Sequence, residues 1–315
     1  MEYQAAAALL QKQDRILILT HCRPDGDTIG CGAALCHALR ALGKTAYVLP
    51  NEEAHGLFTP YLEGVLAPAS FRPAFVVTVD TASQGLFPAS AVPYRDQVDL
   101  SLDHHGTNEH YAKHTCVDPS CAACGELLFR IIHEEWHVLS AQIALLLYMA
   151  IATDTGCFVY SNTSPDTHRI TAALMEIGID HQWVNKRHFR TKTFKRLQLE
   201  SLIVRDLELY DGGTIAFACV TLDMMASLQA TEEDAEDISA FVGQVEGVRY
   251  AVTLRELAPG KCKISLRTDS SLNAAAVCAL FGGGGHPAAS GCTILGSVAK
   301  AKAKMLDGIR TVLHG

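Results

Sequence analysis

The sequence is poor in positive charge, in aromatic residues and in long apolar runs. Its 315 residues include 26 Lys or Arg against 34 Asp or Glu, which leaves a net charge of −8. A surface that tracks a long polyanion needs many basic contacts to phosphates, so long duplex nucleic acid is excluded as a partner. A small anionic ligand remains open if cations or a local basic pocket offset the repulsion. The longest apolar stretch, residues 141–152, is broken only by Gln142; it is too short to span a bilayer and reads as a buried helix. Met1-Glu2 is no basic leader start and residues 5–10 are too short for an apolar leader core, so neither export nor a membrane partner is expected. No Gly-x-x-x-x-Gly-Lys-Ser/Thr occurs, which excludes a P-loop. The 11 cysteines are odd in number and scattered, as befits free thiols in a reducing, cytoplasmic setting.

What is present is an ordinary globular composition, 49% hydrophobic and 19% charged. The length suggests two domains of about 150 residues each. Apolar runs at 16–20, 45–49, 75–79 and 98–102 read as buried strands, with a helical pattern at 27–42 and mostly helix over 125–177. Runs apolar on both faces suit a parallel sheet covered by helices, so the first domain, residues 1–186, is expected to be α/β with helices on both faces. Residues 187–206, rich in Lys and Arg, read as a connecting segment with a solvated basic face. Residues 207–315 read as a smaller α+β domain: hairpin strands at 207–210 and 214–220 around Asp211-Gly212-Gly213, a second pair at 248–257 and 261–267 around Pro259-Gly260, and helices at 273–280 and 298–313.

The acids fall at strand ends. His21-Cys22-Arg23-Pro24-Asp25-Gly26-Asp27 follows the first strand, Asp80 ends the 75–79 strand, Asp103-His104-His105 ends the 98–102 strand, and Asp154 follows the apolar helix. Ligands of open α/β sheets bind outside the carboxyl ends of the strands. Several carboxylates crowded there without counter-charge would raise one another's pKa and lower stability. A pair of divalent metal ions resolves this, and mixed carboxylate and imidazole ligation suits Mn²⁺, Fe²⁺ or Zn²⁺ over Ca²⁺. A single Asp25 or Asp27 would read as a helix N-cap; the combination with Asp80 and Asp-His-His reads as a metal centre. Gly30-Cys31-Gly32 lacks the third glycine of a dinucleotide loop, and acids stand where pyrophosphate would bind. Cys121-Ala-Ala-Cys124 has no second CxxC and reads as the approach to a helix, not a zinc site.

Phe281-Gly282-Gly283-Gly284-Gly285-His286-Pro287 is the second signal. Consecutive glycines expose backbone N–H groups and allow close approach of another molecule. Arg267, just upstream, could clamp a phosphate.

These residues resemble the DHH phosphoesterase family over nearly the whole chain, residues 16–295. Asp103-His104-His105 is the name-giving motif, His21-x-x-x-Asp25-x-Asp27, Asp80 and Asp154-Thr155-Gly156 match the others in order, and Gly282 to His286 is similar to the signature of the DHH-associated C-terminal domain. Cys31 and Thr268 stand where the family commonly has Ser. The compact length is similar to that of the stand-alone oligoribonuclease and pAp (3′-phosphoadenosine 5′-phosphate) phosphatase subgroup.

The resemblance implies two divalent ions, Mn²⁺ by preference. His21, Asp25 and Asp80 would hold one; Asp27, Asp80, His104 and Asp154 the other. It gives Asp103 the task of orienting a ligand histidine and turns His105 to the scissile phosphate. It gives Arg267, Asn273, Gly283, Gly284, Gly285 and His286 the substrate's nucleotide or terminal phosphate. The implied reaction is hydrolysis of short oligoribonucleotides to mononucleotides and of pAp to AMP. The implied partners are short RNA, pAp or pApA, with a homodimer left open. Alternatives are a cyclic di-AMP or pApA phosphodiesterase, an inorganic pyrophosphatase, and a non-catalytic nucleotide-binding module. On this reading His286→Ala raises KM for pApA while leaving metal affinity near wild type; an unchanged KM removes His286 from substrate binding.

Overall fold

Ile16–Leu19 carries four aliphatic side chains in succession and forms β1, buried on both faces. The computed structural model describes all residues but 55, 236, 237, 270 and 315, and all their side chains but those of 233, 286 and 314. It divides the chain into two units, Met1–Thr191 and Lys192–Gly315.

In the first unit, β1 is joined by β2 (Ala46–Val48), β3 (Phe75–Val79), β4 (Leu100–Asp103) and β5 (His114–Val117). The five strands are parallel in the order β2-β1-β3-β4-β5. Alternate residues face opposite sides. Ile16, Ile18, Val77 and Val79 join a core with helices α1 (Tyr3–Gln11), α2 (Gly26–Ala41), α3 (Cys124–Phe129) and α4 (Ala141–Asp154). Leu17, Leu19 and Val76 face a smaller cluster roofed by 3-10 turns at Gln84–Leu86 and Ala89–Gln97. A π-turn at Arg130–Glu135 continues α3, and α5 (Pro165–Glu176) and α6 (His181–Phe189) complete the unit. Ser140 caps α4, accepting from the Ile143 N–H, and α4 is buried along most of its length. Gly30 lets α2 lie directly on α4: a Cβ there would stand 2.6 Å from the Leu146 carbonyl oxygen.

The second unit begins with α7 (Phe194–Arg205), so most of the expected connecting segment is helix. Leu199 and Ile203 of α7 pack against Ala216, Ala218 and Val220. A six-stranded sheet follows, built from β6 (Glu208–Tyr210), β7 (Ile215–Val220), β8 (Tyr250–Ala258), β9 (Lys261–Thr268), β10 (Gly284–His286) and β11 (Ala289–Leu295). The order is β10-β11-β9-β8-β7-β6, antiparallel except for β7 and β8. A parallel pair needs a crossover; α8 (Leu222–Leu228) and α9 (Ile238–Val242) supply it, and neither is evident in the sequence pattern. Helices α10 (Ala274–Ala279) and α11 (Val298–His314) bury Val277, Met305 and Ile309 in the core with β8, β9 and β11. Among the described residues, no helix is long and apolar enough to cross a membrane.

The glycine run forms one strand of a hairpin. Gly284, Gly285 and His286 pair antiparallel with Gly291, Ser290 and Ala289. A Cβ at Gly283 would stand 2.3 Å from the Gly291 carbonyl oxygen, and one at Gly285 would stand 2.7 Å from that of Ala289. Two of the four glycines are therefore demanded by the hairpin itself.

Gly→Ala inside a helix normally stabilises by up to about 1 kcal/mol. Gly30→Ala should do the reverse, because the added methyl meets backbone across α2 and α4. Overpacking of about 1–3 kcal/mol corresponds to a Tm lower by roughly 2–10 °C. Thermal unfolding followed by circular dichroism checks it, and a Tm at or above wild type contradicts the packing.

Candidate metal centre

The neighbouring strands β1, β3 and β4 end at the same edge of the sheet and deliver His21, Asp80 and the Asp103–His105 run. Asp80 adopts a left-handed backbone with φ of 52°, uncommon for a residue with a side chain, and it closes β3 by turning there. Such conformations persist where the surrounding structure enforces them, often at functional sites.

The chain after β1 is pinned by Asn51, whose amide donates to the His21 carbonyl at 2.9 Å and to the Thr20 hydroxyl at 3.0 Å. The His21 Nδ1 lies 2.8 Å from the Cys22 carbonyl, which leaves Nε2 facing Asp25 Oδ1 and Asp80 Oδ2, each at 3.6 Å. Asp25 is at once an N-cap and a member of this group: its Oδ1 accepts from the Asp27 and Thr28 N–H groups, both at 3.1 Å. Asp27 is buried and accepts from the Cys124 N–H at 2.7 Å, the Gly125 N–H at 3.0 Å and the Cys31 thiol at 3.1 Å. The free N–H groups at the start of α3 thus cradle a carboxylate carried by α2.

His104 mirrors His21. Its Nδ1 lies 3.2 Å from the Cys121 carbonyl. Its Nε2 faces Asp80 Oδ1 at 3.5 Å, Asp154 Oδ2 at 3.6 Å and Asp27 Oδ2 at 3.9 Å. Asp154 ends α4, and the Asn162 amide donates to its backbone carbonyl at 3.1 Å. Three sets of donor atoms each lie within 4.8 Å of one another: His21, Asp25 and Asp80; Asp27, His104 and Asp154; and Asp80, His104 and His105.

These residues fit divalent cations. The Nε2–carboxylate separations exceed hydrogen-bond length but match two donors that each reach about 2.0–2.2 Å to a shared ion. The Asp80 Oδ1 is buried without a hydrogen-bond partner, which is costly unless something else satisfies it. Asp80 also turns its two oxygens to different histidines. Imidazole with carboxylate favours a transition-metal ion over Ca²⁺.

Titration carries the same strain. Burial, then the Asp80 and Asp154 charges, hold the Asp27 carboxyl well above the ordinary range. Burial and the Asp80 charge outweigh His104 and raise Asp154 to about 7. Burial pulls the His21 imidazole down, but Asp25 and Asp80 outweigh it and push it to about 11. His104 rises to about 10 for the same reason, against its burial, through Asp80, Asp27 and Asp154.

Asp103 orients His105, which with Asp80 and His104 makes up one of the three donor sets. Fully buried, it accepts from His105 Nδ1 at 2.8 Å, so it aligns His105, while the Cys121 carbonyl aligns His104. Asp103 also accepts from the backbone N–H groups of His104 at 2.8 Å and His105 at 3.2 Å, and from the Asn108 amide at 2.6 Å. The bond to Asp103, against partial burial, raises the His105 pKa. Asn108, Asn51 and Asn162 escaped the sequence reading because each lies outside the motifs and is tied to them only by donating to the Asp103 carboxylate, the His21 carbonyl and the Asp154 carbonyl in the folded chain.

In the second unit, Arg267 lies on β9 opposite Ala289 of β11, and its side chain is exposed. Asn273 caps α10 by accepting from the Ala276 N–H at 3.2 Å. The Ala274 N–H donates to the Pro287 carbonyl at 2.7 Å and the Thr268 N–H to that of Ala288 at 2.9 Å, so Arg267, Asn273 and the glycine hairpin lie at one edge of this sheet. The His286 side chain lies outside the described residues. Cys121 and Cys124 are buried, and among the described residues neither belongs to a metal-type cluster.

Residues 15–151 match the model of the DHH family, N-terminal domain, and residues 219–314 match that of the DHHA1 domain. The chain is 32% identical, over 98% of its own length and 93% of the relative's, to the bifunctional oligoribonuclease and PAP phosphatase NrnA of Thermus thermophilus. In fold it is similar to the crystal structure of an exopolyphosphatase-related protein from Bacteroides fragilis, with a TM-score of 0.89, 22% identity, and 98% of this chain and 96% of that one covered. It is more distantly similar to RecJ in complex with Mn²⁺ from Thermus thermophilus, with a TM-score of 0.53, 15% identity, and 99% of this chain and 55% of that one covered.

Without divalent cations, folded Asp154 holds its proton up to about pH 7 against an ordinary 3.8, and His104 and His21 hold theirs to about 10 and 11 against 6.5. The folded state therefore binds more protons than the unfolded chain, and stability falls as pH rises from 5 to 9. In chelator, Tm should decline over that range. Saturating Mn²⁺, which displaces those protons, should raise Tm most at the alkaline end. A Tm that climbs with pH in chelator contradicts this.

Proposed function

The chain belongs to the DHH family, its N-terminal domain joined to a DHHA1 domain, and on that premise we propose that it hydrolyses short oligoribonucleotides to mononucleotides and pAp to AMP with divalent metal ions. The observation that carries this reading is Asp80, which aims one oxygen at His21 and a buried, otherwise unpartnered one at His104. His21, Asp25 and Asp80 would hold one cation; Asp27, Asp80, His104 and Asp154 would hold the second, Mn²⁺ in both by preference. Bound there, such ions supply positive charge for phosphoryl oxygens and lower the pKa of water toward neutrality.

The remaining chemistry belongs to the chain. The Cys22 and Cys121 carbonyls accept the Nδ1 protons of His21 and His104, which fixes the tautomer that offers bare Nε2 to a cation. Asp103 takes the Nδ1–H of His105 and, by raising its pKa, keeps a proton at Nε2 for donation to a phosphoryl oxygen. Asn108 and two backbone N–H groups hold Asp103 ionised in its buried place. Arg267, Asn273, Gly283, Gly284, Gly285 and His286 take the nucleotide or its terminal phosphate. Few basic residues suit a substrate with few phosphates. Eleven free thiols suit a cytoplasmic enzyme.

Asp80→Ala tests the reading. Mn²⁺-dependent turnover of pAp and of RNA dimers to five-mers should fall by at least 10³-fold while circular dichroism stays that of wild type. Wild-type turnover by the purified variant would remove Asp80 from the centre. Pyrophosphate turnover faster than pAp turnover in the parent would favour the pyrophosphatase alternative.

A further inference from the structure

We propose that Tyr160 is the stacking platform for the base of the nucleotide whose phosphate is hydrolysed. This rests on the phosphoesterase reading and adds to it the group that distinguishes a nucleotide from a bare phosphoester.

The segment that follows Asp154 has an unusual backbone. Gly156, Cys157 and Phe158 are all left-handed, with φ of 56°, 58° and 68°. Glycine adopts this freely, but a bulky Phe does so only when the fold enforces it. What the three residues achieve is a reversal of facing. Phe158 turns inward, where its ring lies 6.1 Å from that of Tyr148 and 5.6 Å from that of His168. The next two side chains turn outward: Val159 is 79% exposed and Tyr160 55%.

Tyr160 does not dangle. The Val159 and Tyr160 N–H groups both donate to the Thr155 carbonyl at 3.0 Å, and the Thr163 N–H donates to the Tyr160 carbonyl at 3.1 Å. The ring lies on Gly156 so closely that a Cβ there would stand 2.4 Å from Cζ. A fixed aromatic ring, half in solvent and six residues beyond a proposed metal ligand, has little conformational entropy left to lose when a base stacks on it. Among the described aromatic residues of the first unit, only Tyr160 and Trp183 are exposed. Trp183 already carries the Arg187 guanidinium 5.5 Å from its ring centre and the Tyr61 ring 5.7 Å away. Stacking is indifferent to base identity, since every base has a π-face. It would therefore hold a nucleotide without restricting which one.

The test compares pAp with ribose 3,5-bisphosphate, which keeps both phosphates and lacks the base. Wild type should prefer pAp. Tyr160→Ala should reduce the ratio of kcat/KM for the two substrates about tenfold, mainly through KM for pAp. Tyr160→Phe and Tyr160→Trp should keep the ratio, and Tyr160→Leu, which retains apolar bulk without a ring, should not. Val159→Ala, on the same loop, should match wild type. An unchanged ratio in Tyr160→Ala, or an equal loss on both substrates, overturns the stacking role and leaves the phosphoesterase reading intact. A wild-type enzyme that hydrolyses neither substrate overturns the phosphoesterase reading and the stacking role with it.

Discussion

Repulsion among buried carboxylates is the constraint on which the first unit turns. Asp27 and Asp80 are almost wholly removed from water, and Asp154 stands against the same imidazole as both. In a low-dielectric setting, three like charges at this spacing cannot all persist alone. The protein answers with histidines raised by their neighbours and carboxyls that retain protons, which is a poor compromise near neutrality. Cations held there would reverse it, because a bound ion is the largest charge in its site and inverts the local pKa logic. An acidic chain can then attract phosphate to the place where its own acids are densest.

The geometry is held by backbone more than by side chains. Asp27 shows how. Its carboxylate sits on the first N–H groups of α3, nearly a hundred residues away in the chain, so it fastens α2 to α3 while leaving Oδ2 directed toward His104. Asp25 caps its own helix and still faces His21. Helix capping and metal ligation, which read as rival explanations for these two acids, are compatible: N–H groups fix the carboxylate's direction, and its remaining lone pairs stay available. The two histidines follow the same logic, each steered by a carbonyl.

That division explains what could be read in advance. Buried strands at 16–20, 75–79 and 98–102 and the acids at their ends are local patterns, and the rule that strand carboxyl ends gather ligands converts them into a site. Asn51, Asn108 and the Cys121 carbonyl could not be found so, since each is identified only by where it donates or accepts across the fold. The strand pairing of the glycine run was hidden for a related reason. Its composition suggests freedom, but at Gly283 and Gly285 the missing Cβ is required by β11, a strand hidden in the pattern of residues 289–295. Helices α8 and α9 were missed because the parallel pairing of β7 with β8, which makes a crossover necessary, is itself a long-range fact.

The two units differ in the charge they gather. The first concentrates acids and histidines that could hold cations; the second sets an exposed Arg267 beside a glycine hairpin. The chain as a whole is acidic, with a net charge of −8. Arg196 and Lys192 of the basic segment are turned onto Glu200, and Lys195 onto the Gln229 carbonyl, while Lys186 and Arg190 stay exposed. Affinity for nucleic acid that comes mainly from phosphate contacts grows with the number of phosphates neutralised. On the proposed function, affinity would then come from a few strong, short-range contacts at one phosphate and one base, and those contacts gain nothing from a longer chain. On the proposed function, a preference for the smallest oligonucleotides would follow from the net charge.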